Sequence, residues 1–482
     1  MSTTRIAVGH LRFEHPLYGM VSSFFHGKGE LPLIFLPSSS EESYDLIIEK
    51  EGIQIRGNIP LALSHLARLA ENEKGQSFLP LVTLHEEPRY SYRGVLLDEA
   101  RHYFGKEHVK SLLDLMWRLQ LNRFHWHLSD DQGFRLLLEA YPRLKETCFR
   151  EGTQEGWLFK KGHFVAGPYG YFYTEKDIQE IAFYAKQRGI EIVPEIDMPG
   201  HLSAILSAYP EYTHDQKVFP VPTHFGILDH TPCLGNPEAR AFLLALVEEV
   251  AYLFKAKYFH LGFDEIKKES FRDCPRCQAE IKAKGYHDEE GLIKAFRNEL
   301  REALFQRGVI PILWNDGLKE KDEHFISEVW EVHQKGNRRR AIRQINAGQK
   351  AVIAPFFSTY VSNPYSLLPL KKAYDFDPLL KGIKKSSNVL GAEICYWSEY
   401  GTSWEKFEFE FSWRAALIAR NLFEEKRRGF KESIKDLLGK SSFYFEREAP
   451  INQNLMNPSF LKRFAHFLSY TKDVDWEMKQ YD

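Results

Sequence analysis

Hydrophobic and polar positions follow two regimes along this chain. Over about the first 90 residues the pattern is short. YDLIIEKEGIQIRG reads as strand, turn, strand, with Gly52 in the turn. PLALSHLARLAENE then places Leu61, Leu63, Leu66 and Leu69 on a helix that opens with Pro60. From Arg93 the pattern changes to strand–helix alternation. RGVLLDEA is an apolar strand with a polar end, and Val109, Leu112, Leu113 and Met116 follow on one helical face. NRFHWHLSDD is the next strand. Thr174 and Asp177 form a capping-box start, with Ile178, Ile181, Ala182 and Ala185 at helical spacing and Gly189 at the C-terminal stop. IEIVPEID, KYFHLGFDE, VIPILWND, KAVIAPFFSTY and NVLGAEICYW read as further strands, and Asn236-Pro237 opens a helix between the first two of these.

Repeated strand–helix units over about 340 residues predict an α/β fold, a (β/α)8 TIM-type barrel preceded by a small N-terminal α/β domain. A doubly wound sheet is the alternative, but no glycine-rich phosphate loop follows any strand. The expected division is an accessory domain over 1–88, a catalytic barrel over 89–430 and a helical extension over 431–482.

Composition narrows the classes. Of the 482 residues, 43% are hydrophobic and 27% charged, an ordinary globular mix. A formal net charge of -2 argues against a nucleic-acid partner. No apolar run spans a bilayer, and MSTTRIAVGHLRFEHPL has no signal-peptide core, so a cytoplasmic protein without membrane contact is expected. The five cysteines suit a reducing compartment. Cys274 and Cys277 form a C-x-x-C, but no second pair lies at zinc-site spacing. A structural zinc would need ligands from elsewhere, and none is expected. Nothing in the pattern sets an oligomeric state.

Strand after strand closes on charge or an aromatic ring, and in a barrel those ends converge on one mouth. The groups are Arg101, His125, His127, Asp130, Asp131, Glu195, Asp197, His201, Asp264, Glu265, Trp314, Asp316, Trp330, Tyr360, Trp397 and Glu399. Two chemistries fit. One is metal-assisted hydrolysis, with His125 and His127 at a strand end and His201 and Asp264 completing the set. The other is glycoside hydrolysis, with Glu265 as acid beside Asp264, and Trp314, Trp330, Tyr360 and Trp397 as sugar-facing walls. Adjacent residues do not suit acid and nucleophile, which must flank one bond at about 5 Å in a retaining enzyme. A substrate 2-acetamido group can attack instead, leaving one carboxylate to hold its N–H and the other to be the acid.

The segments RGVLLDEARHYF, HWHLSDDQGF, GYFYTEKDIQEIAFYAKQRGIEIVPEIDMPGH, HLGFDE and YWSEY, in this order, resemble glycoside hydrolase family 20, the β-N-acetylhexosaminidases. The resemblance spans about residues 40–420. It implies a retaining exo-enzyme that uses substrate assistance and no cofactor, acting on terminal β-linked GlcNAc or GalNAc of a small carbohydrate. It implies Glu265 as acid and base, Asp264 as holder of the acetamido group and Tyr360 as donor to its carbonyl oxygen. Trp314, Trp330 and Trp397 wall the pocket, Arg101 and Glu399 bind hydroxyls, and Asp130 with His201 supports Glu265. A disaccharide-releasing relative and a non-enzymatic sugar binder are the other readings. Two positions depart from the family pattern. Phe263 stands where a second glycine is usual and is expected to share a strand face with Glu265. There it would narrow the pocket, desolvate the acid or reflect a repacked interior. Ser362 replaces an Asp or Asn two residues after Tyr360, which leaves gluco- against galacto-preference open.

Overall fold

The computed structural model describes residues 5–480 except 39, 41, 156–162, 402, 426–427, 446–451 and 474. The signal-peptide reading and both outer domain boundaries therefore rest partly on residues outside the described set. Eight parallel strands close a barrel: β1 (Tyr92–Asp98), β2 (Arg123–His127), β3 (Glu191–Met198), β4 (Tyr258–Gly262), β5 (Ile310–Trp314), β6 (Ile326–Val329), β7 (Ala351–Ile353) and β8 (Val389–Tyr396), which pairs back onto β1. The main covering helices are α1 (Lys106–Arg118), α2 (Glu175–Gln187), α3 (Pro237–Phe254), α4 (Glu289–Gln306), α5 (Lys335–Asn346) and α6 (Trp404–Phe423). The (β/α)8 expectation holds.

Local chemistry sets many of the boundaries. At the start of α2 the Thr174 hydroxyl accepts from the Asp177 N–H at 3.2 Å, and the Asp177 carboxylate accepts from the Thr174 N–H at 3.1 Å. Asn236 caps α3 by accepting from the Glu238 N–H at 3.0 Å. The predicted face of α1, Val109, Leu112, Leu113 and Met116, is wholly buried. It belongs to the same core as strand residues that point out of the barrel, such as Phe124 and Trp126.

Two elements differ from the sequence pattern. The strand β6 is absent from the sequence pattern, and among the described residues no helix joins it to β5. Its sequence, ISEV, buries Ser327 and Glu328. A buried parallel strand ordinarily reads as an apolar run, so this one is hidden by its own ionic residue. The strand expected within KAVIAPFFSTY ends at Ile353, and residues 356–359 form one helical turn after Pro355.

Before the barrel, His10–Arg12, Glu30–Leu36, Ile53–Gly57, Tyr44–Ile48 and Val82–Glu86 form a five-stranded sheet in that spatial order. Helix Ile59–Leu69 lies on it and docks on α1: the Trp117 indole donates to Pro60 O, and the Ser64 hydroxyl to Trp117 O, both at 2.8 Å. Among the described residues no helix is long and apolar enough to cross a membrane.

The last helices reach back to the barrel loops. The buried Glu477 carboxylate accepts from the N–H groups of Tyr365 and Ser366, at 2.7 and 3.2 Å. Arg414 of α6 donates to Val361 O and Asn363 O in the same loop. This loop carries Tyr360. Replacing Glu477 with Ala strands two buried N–H groups, so Glu477→Ala is expected to lower unfolding free energy by about 2–3 kcal/mol in urea titrations, and Glu477→Gln by less.

Candidate active site

Side chains pointing into the barrel form three layers, because alternate residues on each strand share a face. The layer nearest the strand starts is apolar: Tyr92, Val193, Ile312, Ile326 and Val352. The layer at the strand ends is largely aromatic: Leu96, Trp314, Ala354, Tyr360 and Cys395, edged by Trp330, Phe356 and Trp397. Between them His125, Glu195, His260, Glu328 and Glu393 are all fully buried.

Glu195 is the hub of that middle layer. One carboxylate oxygen faces His260 Nδ1 at 2.8 Å and accepts from the Trp314 indole at 3.1 Å. The other faces His125 Nε2 at 3.0 Å and pairs with His127 Nδ1. His125 Nδ1 meets Glu393 at 2.7 Å, and the Tyr92 hydroxyl donates to Glu393 at 2.7 Å. Burial disfavours every charge here, so the pairing must overcome it. Burial would raise Glu195, but His127, His260 and His125 hold it well below the usual carboxylate range. Burial would lower His127, but Glu195 and Asp130 lift it to about 9.

The mouth is built on this layer. Asp98, fully buried at the end of β1, accepts from the backbone N–H groups of Arg101 and Ser398 at 3.2 and 3.0 Å. Arg101 Nη1 lies 3.3 Å from Asp98 and its Nη2 2.6 Å from Asp130. Its guanidinium carbon sits 5.4 Å from the centre of the Trp397 ring. Burial pushes Glu399, next to Ser398, above the usual range, with Arg101 pulling the other way.

Asp130 also receives His127 Nε2 at 3.0 Å, and its second oxygen is 3.4 Å from His201 Nδ1. The far nitrogen of His201 lies 3.4 Å from Glu265 and 3.8 Å from Asp264. Burial opposes the His201 charge, but Asp130 outweighs it and holds the imidazole pKa well above its ordinary value.

The Asp264–Glu265 pair is shaped by its backbone. Gly262, Phe263 and Glu265 have φ of +70°, +69° and +50°. A Cβ at Gly262 would fall 1.6 Å from the Asp197 carboxylate, so only glycine leaves that acid its place. The Glu265 N–H donates to Asp316 at 2.9 Å, and the other Asp316 oxygen accepts from the Trp330 indole at 2.8 Å. The Asp264 side chain is 16% exposed and that of Glu265 32%. Burial, then repulsion from Asp316 and Glu265 against the pull of His201, lifts Asp264 to about 7. Burial and Asp264 push Asp197 well above its ordinary range. Glu265 opens on a cavity of about 290 Å³, which Asp316, Lys319, Glu331 and Arg340 also line.

The structure thus gathers Asp130, His201, Asp264 and Glu265 on one side, and Trp314, Trp330, Tyr360 and Trp397 in one cluster, with ring centres of Trp314 and Tyr360 at 6.0 and 5.8 Å from Trp397. Arg101 and Glu399 stand where β1 and β8 adjoin. Three expectations are corrected. His125 and Glu195 belong to the buried middle layer, not to the mouth, because inward-facing residues before the last strand position lie below it. The four proposed metal donors do not converge: His201 and Asp264 gather with Asp197, whereas His125 gathers with Glu195 and His260 or with Glu328 and Glu393. Phe263 does not share a strand face with Glu265, since the strand ends at Gly262, but both residues line the cavity on which Glu265 opens. The Phe263 ring packs in the barrel–helix core, 6.3 Å from Phe296 of α4. At the other unusual position, the Ser362 hydroxyl accepts from the Trp397 N–H at 3.3 Å. Asp98, His260, Glu328 and Glu393 also join the site and the layer beneath it. Asp98 carried a signal, as the charged last residue of an apolar strand.

A family model, "Glycosyl hydrolase family 20, catalytic domain", matches residues 90–426. A β-hexosaminidase of Porphyromonas gingivalis is 30% identical over 404 residues, covering 79% of this chain and 50% of that protein. One of Vibrio furnissii is 26% identical, over 83% of this chain and 68% of its own length. The chain therefore spans half the length of the first relative. A Vibrio harveyi family 20 exo-β-N-acetylglucosaminidase, solved with N-acetylglucosamine, superposes with a TM-score of 0.78 at 24% identity, over 92% of this chain and 75% of that one. A Flavobacterium johnsoniae chitobiase gives 0.76 at 25% identity, over 96% and 76%.

The buried hub makes its own prediction. Glu195→Gln leaves clustered imidazoles without their shared counter-charge and is expected to cost about 3–5 kcal/mol of stability. Arg143→Gln, which breaks the exposed pair with Glu211, is expected to cost less than about 1 kcal/mol. Chemical denaturation of both variants checks the contrast.

Proposed function

The chain belongs to glycosyl hydrolase family 20, and on that premise we propose that it is a retaining exo-β-N-acetylhexosaminidase whose substrate supplies the nucleophile through its 2-acetamido group. The observation that carries the reading is the placement of the two adjacent carboxylates. Asp264 and Glu265 both lie within 4 Å of the same nitrogen of His201. Two groups so close to one point stand on one side of a scissile bond, which does not suit an acid and a nucleophile acting from opposite faces. Their surroundings also differ, as a division of labour requires.

In this proposal Glu265, the more exposed, protonates the leaving oxygen and then takes a proton from the attacking water. Asp264 accepts the acetamido N–H and balances the positive charge of the oxazolinium ring formed when the carbonyl oxygen attacks the anomeric carbon. The Tyr360 hydroxyl donates to that carbonyl oxygen and orients it. Trp314, Trp330 and Trp397 enclose the acetamido methyl and one sugar face, excluding water from the charge that develops. Arg101 reads hydroxyls at C3 and C4, and Glu399 those at C4 and C6. Asp130 holds His201 charged and aimed at Glu265, where its N–H meets the carboxylate left after proton transfer. The Ser362 hydroxyl is used on the Trp397 backbone, so sugar selectivity at C4 falls to Arg101 and Glu399.

The test is a matched pair of aryl glycosides that differ only at C2. Turnover of the β-N-acetylglucosaminide is expected to exceed that of the β-glucoside by at least about 10³-fold, the scale of a lost intramolecular nucleophile. Equal rates would sink the proposal, because the protein would then be supplying its own nucleophile.

A pH dependence follows from Asp264. Its carboxylate is the working form, and its pKa in the free protein is raised to about 7. Protonation as pH falls through that value removes the anion, so kcat/KM is expected to drop about tenfold per unit below pH 7. A profile flat down to pH 5 would contradict the assigned role.

A further inference from the structure

Residues 213–236, between the turn after β3 and α3, run without a helix or strand, apart from a single bridge between Thr213 and Pro232. So long a structureless connection needs something to hold it. Folding brings His214 and Cys233 from this segment onto the C-x-x-C of Cys274 and Cys277, which starts the helix Pro275–Lys284 after β4. Sequence spacing hid the set, because two of its members lie 41 and more residues from the pair they join.

The four donor atoms lie within 4.8 Å of one another. Cys233 Sγ is 3.5 Å from Cys274 Sγ and 3.9 Å from Cys277 Sγ, and Cys277 Sγ is 3.8 Å from His214 Nδ1. A disulfide needs sulfurs at about 2.05 Å. A tetrahedral zinc with Zn–S bonds of about 2.3 Å needs them at about 3.8 Å. We propose that His214, Cys233, Cys274 and Cys277 bind one structural zinc ion that clips the loop after β3 to the loop after β4.

The surroundings fit a metal-binding thiolate set. All three cysteines are buried. The Gly235 N–H points at Cys277 Sγ at 3.3 Å, and Cys274 and Cys277 sit at the positive end of their helix, both of which favour thiolate. His214 Nε2 lies 3.0 Å from the Thr231 hydroxyl, a contact that fixes the ring with Nδ1 toward the sulfurs. The two backbones approach so closely that a Cβ on Gly235 would lie 2.3 Å from the Arg276 carbonyl. Four protein donors close the coordination sphere, so the ion has no open position for substrate.

The clipped segment reaches the mouth. Gln132 donates to His224 O at 2.9 Å while its own oxygen accepts from Arg101 Nε at 3.1 Å. The Phe225 ring lies 6.4 and 6.2 Å from those of His102 and Tyr400. Loss of the ion is expected to loosen this wall.

The experiment measures metal in the full chain, purified under reducing conditions after zinc-supplemented growth and desalting. Wild type and Cys148→Ser are expected to hold about one zinc per chain, and Cys233→Ser and Cys277→Ser below about 0.2. Cobalt substituted into the wild-type chain is expected to show thiolate-to-cobalt charge-transfer absorption and a tetrahedral ligand-field band, a readout independent of whether the variants fold. Wild type with less than about 0.2 zinc and no such cobalt spectrum would overturn the proposal. So would a Cys233 disulfide in the intact chain by mass spectrometry.

Discussion

The structure depends on how one carboxylate is shared across the barrel interior. Glu195 meets three imidazoles and one indole, all of them buried. A lone ion at that depth would be prohibitively costly, and each partner lowers the cost only if its position is fixed. The arrangement therefore locks the rings on which the mouth is built. Trp314, the floor of the aromatic cluster, is held by its indole N–H on Glu195. His127, held on its other side by the same acid, presents its second nitrogen to Asp130. From Asp130 the chain of charge continues to Arg101 and to His201, and from His201 to Asp264 and Glu265. Removing the hub would disturb both the wall and the acid.

The second constraint is backbone shape at the end of β4. Two consecutive carboxylates would ordinarily project to opposite faces of a strand. Here left-handed residues on both sides of Asp264 end the strand and let both acids reach His201. Phe263 takes a conformation that glycine adopts at little cost, and a penalty of order 1–2 kcal/mol is expected for the side chain. Its ring offsets this by filling the space between barrel and α4 with a fully buried aromatic. Where the family usually has glycine, the ring thus packs in the core and also forms part of the wall of the cavity beside Glu265.

Much of this was legible in the chain. The capping box at Thr174 and the apolar face of α1 are local signals, and both survive folding unchanged. Charged and aromatic strand ends pointed to the mouth, where Asp130, His201, Asp264 and Glu265 meet and Trp314, Trp330, Tyr360 and Trp397 cluster. What could not be read is what depends on partners distant in sequence. The strand β6 hides because Glu328 is tolerated only inside the ionic layer. His125 and Glu195 looked like mouth residues because a strand's sequence does not show how deep each position sits. The ligands joining Cys274 and Cys277 were invisible because a loop, and no regular spacing, delivers them.

In the proposed mechanism the substrate's acetamido oxygen attacks the anomeric carbon while Asp264 holds its N–H. A series of aryl N-acylglucosaminides bearing none, one, two or three fluorines on the acetamido methyl tests it most directly, since each fluorine weakens the oxygen as a nucleophile and barely changes its size. Substrate assistance requires a stepwise fall in kcat that reaches several orders of magnitude at the trifluoro compound. A rate independent of fluorination would contradict it and place the nucleophile on the protein.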